Sequence, residues 1–314
     1  MNSNYAKMLL CVTIICAVFV AFSGCTTTSP SATPTAEATA TAVANASATP
    51  TVSPNATAAP STTPITNGSA PNFTTIQAGV LLVPVDSSFP PMEWLDMNQT
   101  DAQKQFTGFD MDLMRAIGEK LNVTPQFTTH SFDTIINDVQ THKYDCSISS
   151  FSITGERQQQ VLFSNPYFQV QQTIVVRAND DSIQNATDLV SKGKVVAVQR
   201  GTTGAATAAN LTDAQGNKIS TANIKQFDTA EEAYQDLKKG TSDAVINDIE
   251  VNAYEVQMYP GDYKFTGTKF PTLEPYGIVI AKDNPQLAAA INWALGQLQA
   301  DGTMDQLKQK YNLE

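Results

Sequence analysis

From Val80 onward, short apolar runs alternate with longer stretches whose apolar residues recur every three or four positions. The runs read as buried strands and the longer stretches as helices with one apolar face. Strands taken in turn with helices imply a mainly parallel sheet covered on both sides, an α/β architecture. Val80 to Val85, Val123 to Thr128, Thr173 to Arg177, Lys194 to Val198, Ile224 to Phe227, Asp243 to Asp248 and Tyr276 to Ala281 are the expected strands. Helices are expected from Gly108 with Leu113, Ile117 and Leu121 inward, and from Phe132 to Thr141 with Ile135, Ile136 and Val139 inward. Others run from Ala205, from Thr229 to Lys239 and from Glu250 to Met258, and two follow at the C-terminus, through Leu287 to Leu298 and Met304 to Tyr311. Two such runs, divided by a crossing near residues 169 to 173 and a second before Tyr276, imply two lobes with a cleft between them.

Several polar residues stand where strands end, which is where open α/β sheets bind ligands. Asp86 follows the first strand, with Phe89 three residues on, and Asp248 closes the strand that begins at Asp243. Gln199-Arg-Gly201-Thr202-Thr203-Gly204 follows another strand and precedes a helix, so its free N–H groups favour an anion. Phosphate is an alternative occupant there, but the stretch lacks the P-loop lysine and the dinucleotide-binding spacing.

The stretch Asp145-Cys-Ser-Ile-Ser-Ser-Phe-Ser-Ile-Thr-Gly-Glu-Arg157 is the most pointed. Cys146 and Ile148 alternate with Ser147 and Ser149 at strand period. Ser150, Ser152 and Thr154 then gather three hydroxyls before Arg157. A guanidinium fork suits a carboxylate, and hydroxyls suit the remainder of a small polar ligand. The plain alternative is a polar turn with Arg157 in solvent.

The N-terminal quarter has a different composition. Lys7 precedes an apolar run from Met8 to Phe22, about 15 residues long against the ~20 that a membrane span needs. Residues 1–24 therefore read as a signal peptide, and Ser23-Gly24-Cys25 as a lipidation site with Cys25 modified. An uncleaved anchor is the other reading; both place the remainder outside the cytoplasm. Residues 25–74 are nearly all Ser, Thr, Ala and Pro, with Glu37 as the only charge. They have no apolar face to offset the entropy of ordering, and read as a disordered stalk. Asn45, Asn55, Asn67, Asn72, Asn98, Asn122, Asn185 and Asn210 begin Asn-X-Ser/Thr sequons, each a candidate for glycosylation.

A net charge of -11 with no basic patch argues against nucleic acid as a partner. Cys146 is the only cysteine past residue 25, so the folded part contains no internal disulfide and Cys146 reads as a small buried apolar residue. His130 and His142 are the only histidines, which leaves little for a zinc site, and no cofactor is expected.

From about Gly79 to the C-terminus the chain resembles the amino-acid-binding proteins of ABC importers, the solute-binding protein family 3. The resemblance is carried by Gly108-Phe-Asp-Met-Asp-Leu-Met-Arg-Ala-Ile-Gly118, Ser149 to Arg157, Phe163-Ser-Asn-Pro-Tyr167, Gly201-Thr-Thr203, Asp243-Ala-Val245 with Asp248, and Asp301-Gly-Thr303, in that order. It implies a two-lobed periplasmic-binding-protein fold of type II: two hinge strands, lobe 1 from residues 75–170 plus 275–314, and lobe 2 from 171–274. It also implies closure on one free L-amino acid. Arg157 would hold the α-carboxylate, assisted by Thr203 and the backbone around Ser152, while Asp248 and Ser150 take the α-ammonium. Phe89 and Phe132 would pack on the side chain, Asp86 would meet its polar end, and Gln199 sits where specificity varies. The favoured ligand is polar or cationic. The partners implied are a permease and an ATPase, with the membrane reached through the lipid on Cys25 and the domain monomeric.

Three rivals remain. An enzyme of the same fold, a dehydratase of a cyclic carboxylate, would need an acid or base such as Glu93 or Asp86. A ligand-sensing domain would need a signalling segment, which the sequence after the fold does not offer. A structural surface protein, suggested by the stalk, would gain no stability from any ligand.

Overall fold

The computed structural model describes residues 68–313. The signal peptide (1–24), the lipidation of Cys25 and the stalk as far as residue 67 lie outside the described residues. Among the described residues, no helix is long and apolar enough to cross a membrane.

The stalk boundary expected at residue 74 lies too late. Ala70 and Phe73 pack against the main core, the Trp293 indole N–H donates to the Gly68 carbonyl at 3.0 Å, and the Ile76 N–H donates to Asp145 at 2.7 Å. Phe73 supplies the apolar surface that the Ser/Thr/Pro-rich composition hides.

The strand Val80–Val85 pairs in parallel with Thr124–Thr129, Val80 opposite Thr124. Between them the chain makes a three-stranded antiparallel patch, Ser88–Phe89, Glu93–Leu95 and Phe106–Thr107, none of which is among the expected strands. The helix Phe109–Leu121 follows and buries Phe109, Met111, Leu113, Met114, Ile117 and Leu121. Its cap, Gly108, has φ +125°, and a Cβ there would stand 2.1 Å from the Met92 carbonyl oxygen, so only glycine fits. The helix Phe132–Gln140 buries Ile135 and Val139 as expected, with Ile136 half-buried.

The strand expected around Cys146 is short, only Cys146–Ser147, and pairs with Val279–Ile280. Its alternation does not mark an exposed face. Ser147 and Ser149 are fully buried, because their hydroxyls have partners inside: Ser147 donates to the Pro84 carbonyl at 2.6 Å. Cys146 is buried and free, and burial pushes its thiol pKa up.

Residues 172–269 form a five-stranded sheet in the order Ile224–Phe227, Val196–Gln199, Ala244–Asp248, Gln172–Arg177, Tyr263–Lys269. The first three are parallel and the last two antiparallel to their neighbours, so this sheet is mixed. The departure arises because Gln172–Arg177 enters from the other lobe, and because Tyr263–Lys269, polar along much of its length, was not read as a strand. The helices Thr203–Ala209, Ala230–Lys238 and Ile249–Met258 accompany this sheet, the middle one opened by a Thr229/Glu232 capping box.

The chain crosses between lobes twice, on Phe168–Val170 and Glu274–Tyr276, which pair antiparallel with Tyr276 opposite Phe168. The expected strand Tyr276 to Ala281 is therefore two: Glu274–Tyr276 in this ribbon, and Val279–Ile280 between Cys146–Ser147 and Leu162–Phe163. The break comes at Gly277, where a Cβ would meet the Ile153 side chain at 2.8 Å.

Candidate functional site

The strand Val80–Val85 delivers Asp86 to a buried position where its backbone N–H donates to the Ser149 hydroxyl at 2.9 Å. One carboxylate oxygen accepts from Ser88 at 2.7 Å and the other from the Gln199 amide, which comes from the opposite lobe. Burial pushes the Asp86 pKa up, against these hydrogen bonds.

Ser150 has φ +51°, a left-handed conformation held by its N–H donating to Asp110 at 2.8 Å. Its hydroxyl and that of Ser149 donate to the two oxygens of Glu93, at 3.1 and 2.9 Å. Ser152 donates to Glu274 at 2.7 Å and lies 3.4 Å from the Thr203 hydroxyl across the cleft.

Thr154 caps the one-turn helix Gly155–Gln158, which points Arg157 inward. The guanidinium is buried and donates to the Ser152 carbonyl at 2.8 Å and, across the cleft, to the Gly201 carbonyl at 2.9 Å. It also lies 5.3 Å from the centroids of Phe132 and Phe151, which stack on each other. Burial draws its pKa down while Glu274 and Asp248 oppose that.

Asp248 closes the strand Ala244–Asp248 and accepts from the Gln172 amide and the Tyr276 hydroxyl. Burial, reinforced by the charge of Glu274 and countered by these bonds and Arg157, pushes its pKa up to about 7. Thr203 opens its helix two residues earlier than expected. The Ala205 N–H there donates to Thr202, so one of the donors that a phosphate would have used is taken.

These groups converge. Asp86, Phe89, Phe132, Ser150, Ser152 and Arg157 from one lobe, and Gln199, Thr203 and Asp248 from the other, line a single cavity. Glu93, Ser149, Thr202 and Asn247 line it too and were not among the expected site residues. Glu93 entered the sequence reading only as an acid or base for the dehydratase alternative; it reaches the cavity by pairing with Phe89 in the antiparallel patch, a register that no period-two run announces. Gln172, Glu274 and Tyr276 stand behind the lining residues and were also missed; they lie on or beside the crossing strands. Among the described residues no group of three His, Cys, Asp or Glu is placed to hold a metal ion.

The cavity thus presents one guanidinium and several carboxyl groups from two lobes, a layout suited to a small zwitterion. Comparison with known proteins places it in context. Residues 81–314 match the family described as bacterial extracellular solute-binding proteins, family 3. The chain is 30% identical over 236 residues to the ABC transporter arginine-binding protein 1 of Escherichia coli (strain K12), covering 72% of this chain and 88% of that protein. It is 31% identical over 233 residues to the lysine/arginine/ornithine-binding periplasmic protein of the same strain, covering 72% and 85%. Among solved structures, an ancestral arginine-binding protein bound to arginine superposes with a TM-score of 0.67 at 39% identity, covering 74% of this chain and 98% of that one. An ancestral amino acid-binding protein described as a precursor of cyclohexadienyl dehydratase superposes with a TM-score of 0.64 at 36% identity, covering 74% and 95%. With the match spanning both lobes and the crossings between them, the chain belongs to the bacterial extracellular solute-binding proteins, family 3.

Proposed function

We propose that the domain binds one free L-amino acid with a polar or cationic side chain and presents it to the permease and ATPase of an ABC importer, without chemistry. The observation that carries this reading is the pairing of Arg157 from one lobe with Asp248 from the other around one cavity. A zwitterion leaving water needs an opposite charge at each end, because unpaired buried charge is very costly. Arg157 takes the α-carboxylate, with Thr203 beside it; Asp248 and Ser150 take the α-ammonium. Phe89 and Phe132 flank the side chain, and Asp86 with Gln199 receives its far end. Because the two charges come from lobes 75–170 plus 275–314 and 171–274, closure and binding are one event.

Charge favours a cationic side chain. Asp86 and Asp248 share the cavity with Arg157, and Glu274 acts on Arg157 from behind the lining, so a ligand adding two positive charges and one negative leaves the site closer to balance than a neutral one. The arginine- and lysine-binding relatives support this choice. Two or three charge-assisted contacts of ~1.5–3 kcal/mol each, plus apolar contact, suffice for micromolar affinity, about -8 kcal/mol.

The dehydratase alternative draws on the ancestral relative and on Glu93, a buried acid facing the cavity. Glu93 and Asp86 are nonetheless each engaged by two side chains of the protein itself, which is the arrangement of a binding wall. We further propose that Cys25 carries lipid, that the Ser/Thr/Pro-rich segment spans from membrane to domain, and that the protein works as a monomer at the cell surface or in the periplasm.

A thermal-shift screen of the twenty common amino acids tests the central reading. Arginine, lysine, ornithine added to the panel, or histidine is expected to raise Tm at millimolar excess, because a ligand bound only by the native state stabilises it. No shift with any amino acid would overturn the reading.

A further inference from the structure

Glu93 is 1% exposed and faces the cavity, yet nothing in the recognition scheme above uses it. Its surroundings are specific. One oxygen accepts the Ser149 hydroxyl proton at 2.9 Å and the other that of Ser150 at 3.1 Å. Behind it Asp110, fully buried, accepts from the Ser150 N–H and the Tyr167 hydroxyl, both at 2.8 Å, on one oxygen. The other Asp110 oxygen is buried and meets no N–H or O–H donor of the chain. Glu93 lies within hydrogen-bonding reach of this carboxyl, so a proton on Glu93 satisfies the pair. Burial and then the neighbouring charge of Asp110 push the Glu93 pKa well up, with Asp86 adding to it, in keeping with a retained proton.

A serine hydroxyl has one proton to give and two lone pairs to accept with. Once Ser149 and Ser150 have given theirs to Glu93, their oxygens face the other way only as acceptors. The Ser149 oxygen accepts from the Asp86 N–H. Ser150 lines the cavity.

We propose that Glu93, braced by Asp110, is a positioning residue that sets the polarity of the ligand site: it holds the Ser150 proton away from the cavity, so this point accepts an ammonium and repels a carboxylate. The amino acid is thereby bound in one direction only. The inference deepens the proposed function and rests on it.

The test compares two probes on the full chain by calorimetry: arginine, and 5-guanidinopentanoate, which is arginine without its α-amino group. In the wild type the ratio of their Kd values is expected to be ~100 or more, the worth of one to two charge-assisted hydrogen bonds. In Glu93→Ala the freed hydroxyl can donate to the amine-free probe, and the ratio shrinks by about tenfold. Glu93→Gln keeps one acceptor oxygen and falls between the two. Should Glu93→Ala fail to fold, Glu93→Gln alone still decides. A merely structural role weakens both probes in parallel, and an unchanged ratio in the folded variants overturns the inference. A wild type that binds neither probe overturns the inference together with the proposal of a cationic amino acid; a wild type that binds arginine with unchanged ratios in the variants overturns the inference alone.

Discussion

The Arg157 guanidinium donates to the Gly201 carbonyl at 2.9 Å, one lobe hydrogen-bonded to the backbone of the other. On the proposed reading Arg157 is both the cation for a ligand carboxylate and a latch for closure. Arg157→Ala is expected to weaken amino-acid binding at least ~100-fold, since the loss includes a charge-assisted pair. Arg157→Lys should not restore it, because an ammonium cannot make the same fork or lie against Phe132 and Phe151. Calorimetry measures the first effect, and circular dichroism melting shows whether the fold survives. Unchanged affinity would remove Arg157 from the site.

The Gly201 backbone also lies close against the facing lobe. A Cβ at this position would stand 3.0 Å from the Asp133 Cβ and 3.3 Å from its Cα, at φ +75°. Gly201→Ala should therefore hinder closure, lowering affinity by about tenfold while costing ~1–2 kcal/mol for the left-handed conformation. Gly204→Ala meets instead the Ile246 carbonyl within the same lobe, at 2.9 Å, and should lower Tm more than it lowers affinity in the surviving fold. X-ray scattering with and without ligand separates the two, because only the first variant should fail to contract.

Asp248 gives the site a pH dependence with a defined sign. Burial raises its ligand-free pKa from 3.8 to about 7, so the empty folded domain holds a proton there that the unfolded chain has already lost. The stability from this group is full below pH 3.8 and is lost as pH rises through about 7. A ligand ammonium beside Asp248 favours its ionised form. Binding near pH 6 should then release up to ~1 proton, and affinity should rise between pH 5.5 and 7.5 by at most ~10-fold per unit. Calorimetry in buffers of different ionisation enthalpy reads the proton count. Asp248→Asn should abolish the release; undiminished release in that variant would assign it elsewhere.

Asp86 and Gln199 meet across the cleft where the ligand side chain is proposed to end. Asp86→Asn removes the charge but keeps the shape. The preference for arginine over its neutral isostere citrulline is expected to fall by ~10-fold or more, with citrulline affinity changed far less. Competition binding with the two ligands measures this ratio.

Cys25 lies outside the described residues, and its role is tested in cells. Cys25→Ser should move the protein from the membrane fraction to the soluble one. Retention on membranes would indicate an uncleaved apolar segment instead.

Much of the site was legible because charges at strand ends are distinctive. Asp86, Gln199 and Asp248 each close an apolar run, Arg157 follows three clustered hydroxyls, and the fold brings all four to one cavity. Glu274 was not legible, and Glu93 was named only for the dehydratase alternative, for the same reason in reverse. They sit on short strands whose pairing is set by tertiary contacts, Glu93 opposite Phe89 and Glu274 opposite Val170, and such strands carry no period of their own. The sheet in the second lobe was expected to be mainly parallel because its strands alternate with helices in the chain. Only the entry of Gln172–Arg177 from the other lobe turns it antiparallel to Ala244–Asp248.

The ribbon of Phe168–Val170 and Glu274–Tyr276 contributes more than a swivel. Tyr276 donates to Asp248, and Glu274 holds Ser152, so the connector is bonded to the groups proposed to grip the ligand. Any twist that parts the halves must also disturb that grip. How long a captured molecule stays is therefore governed by the stiffness of a few residues between the halves, and a transporter that bends them would unload the cargo without having to compete for it.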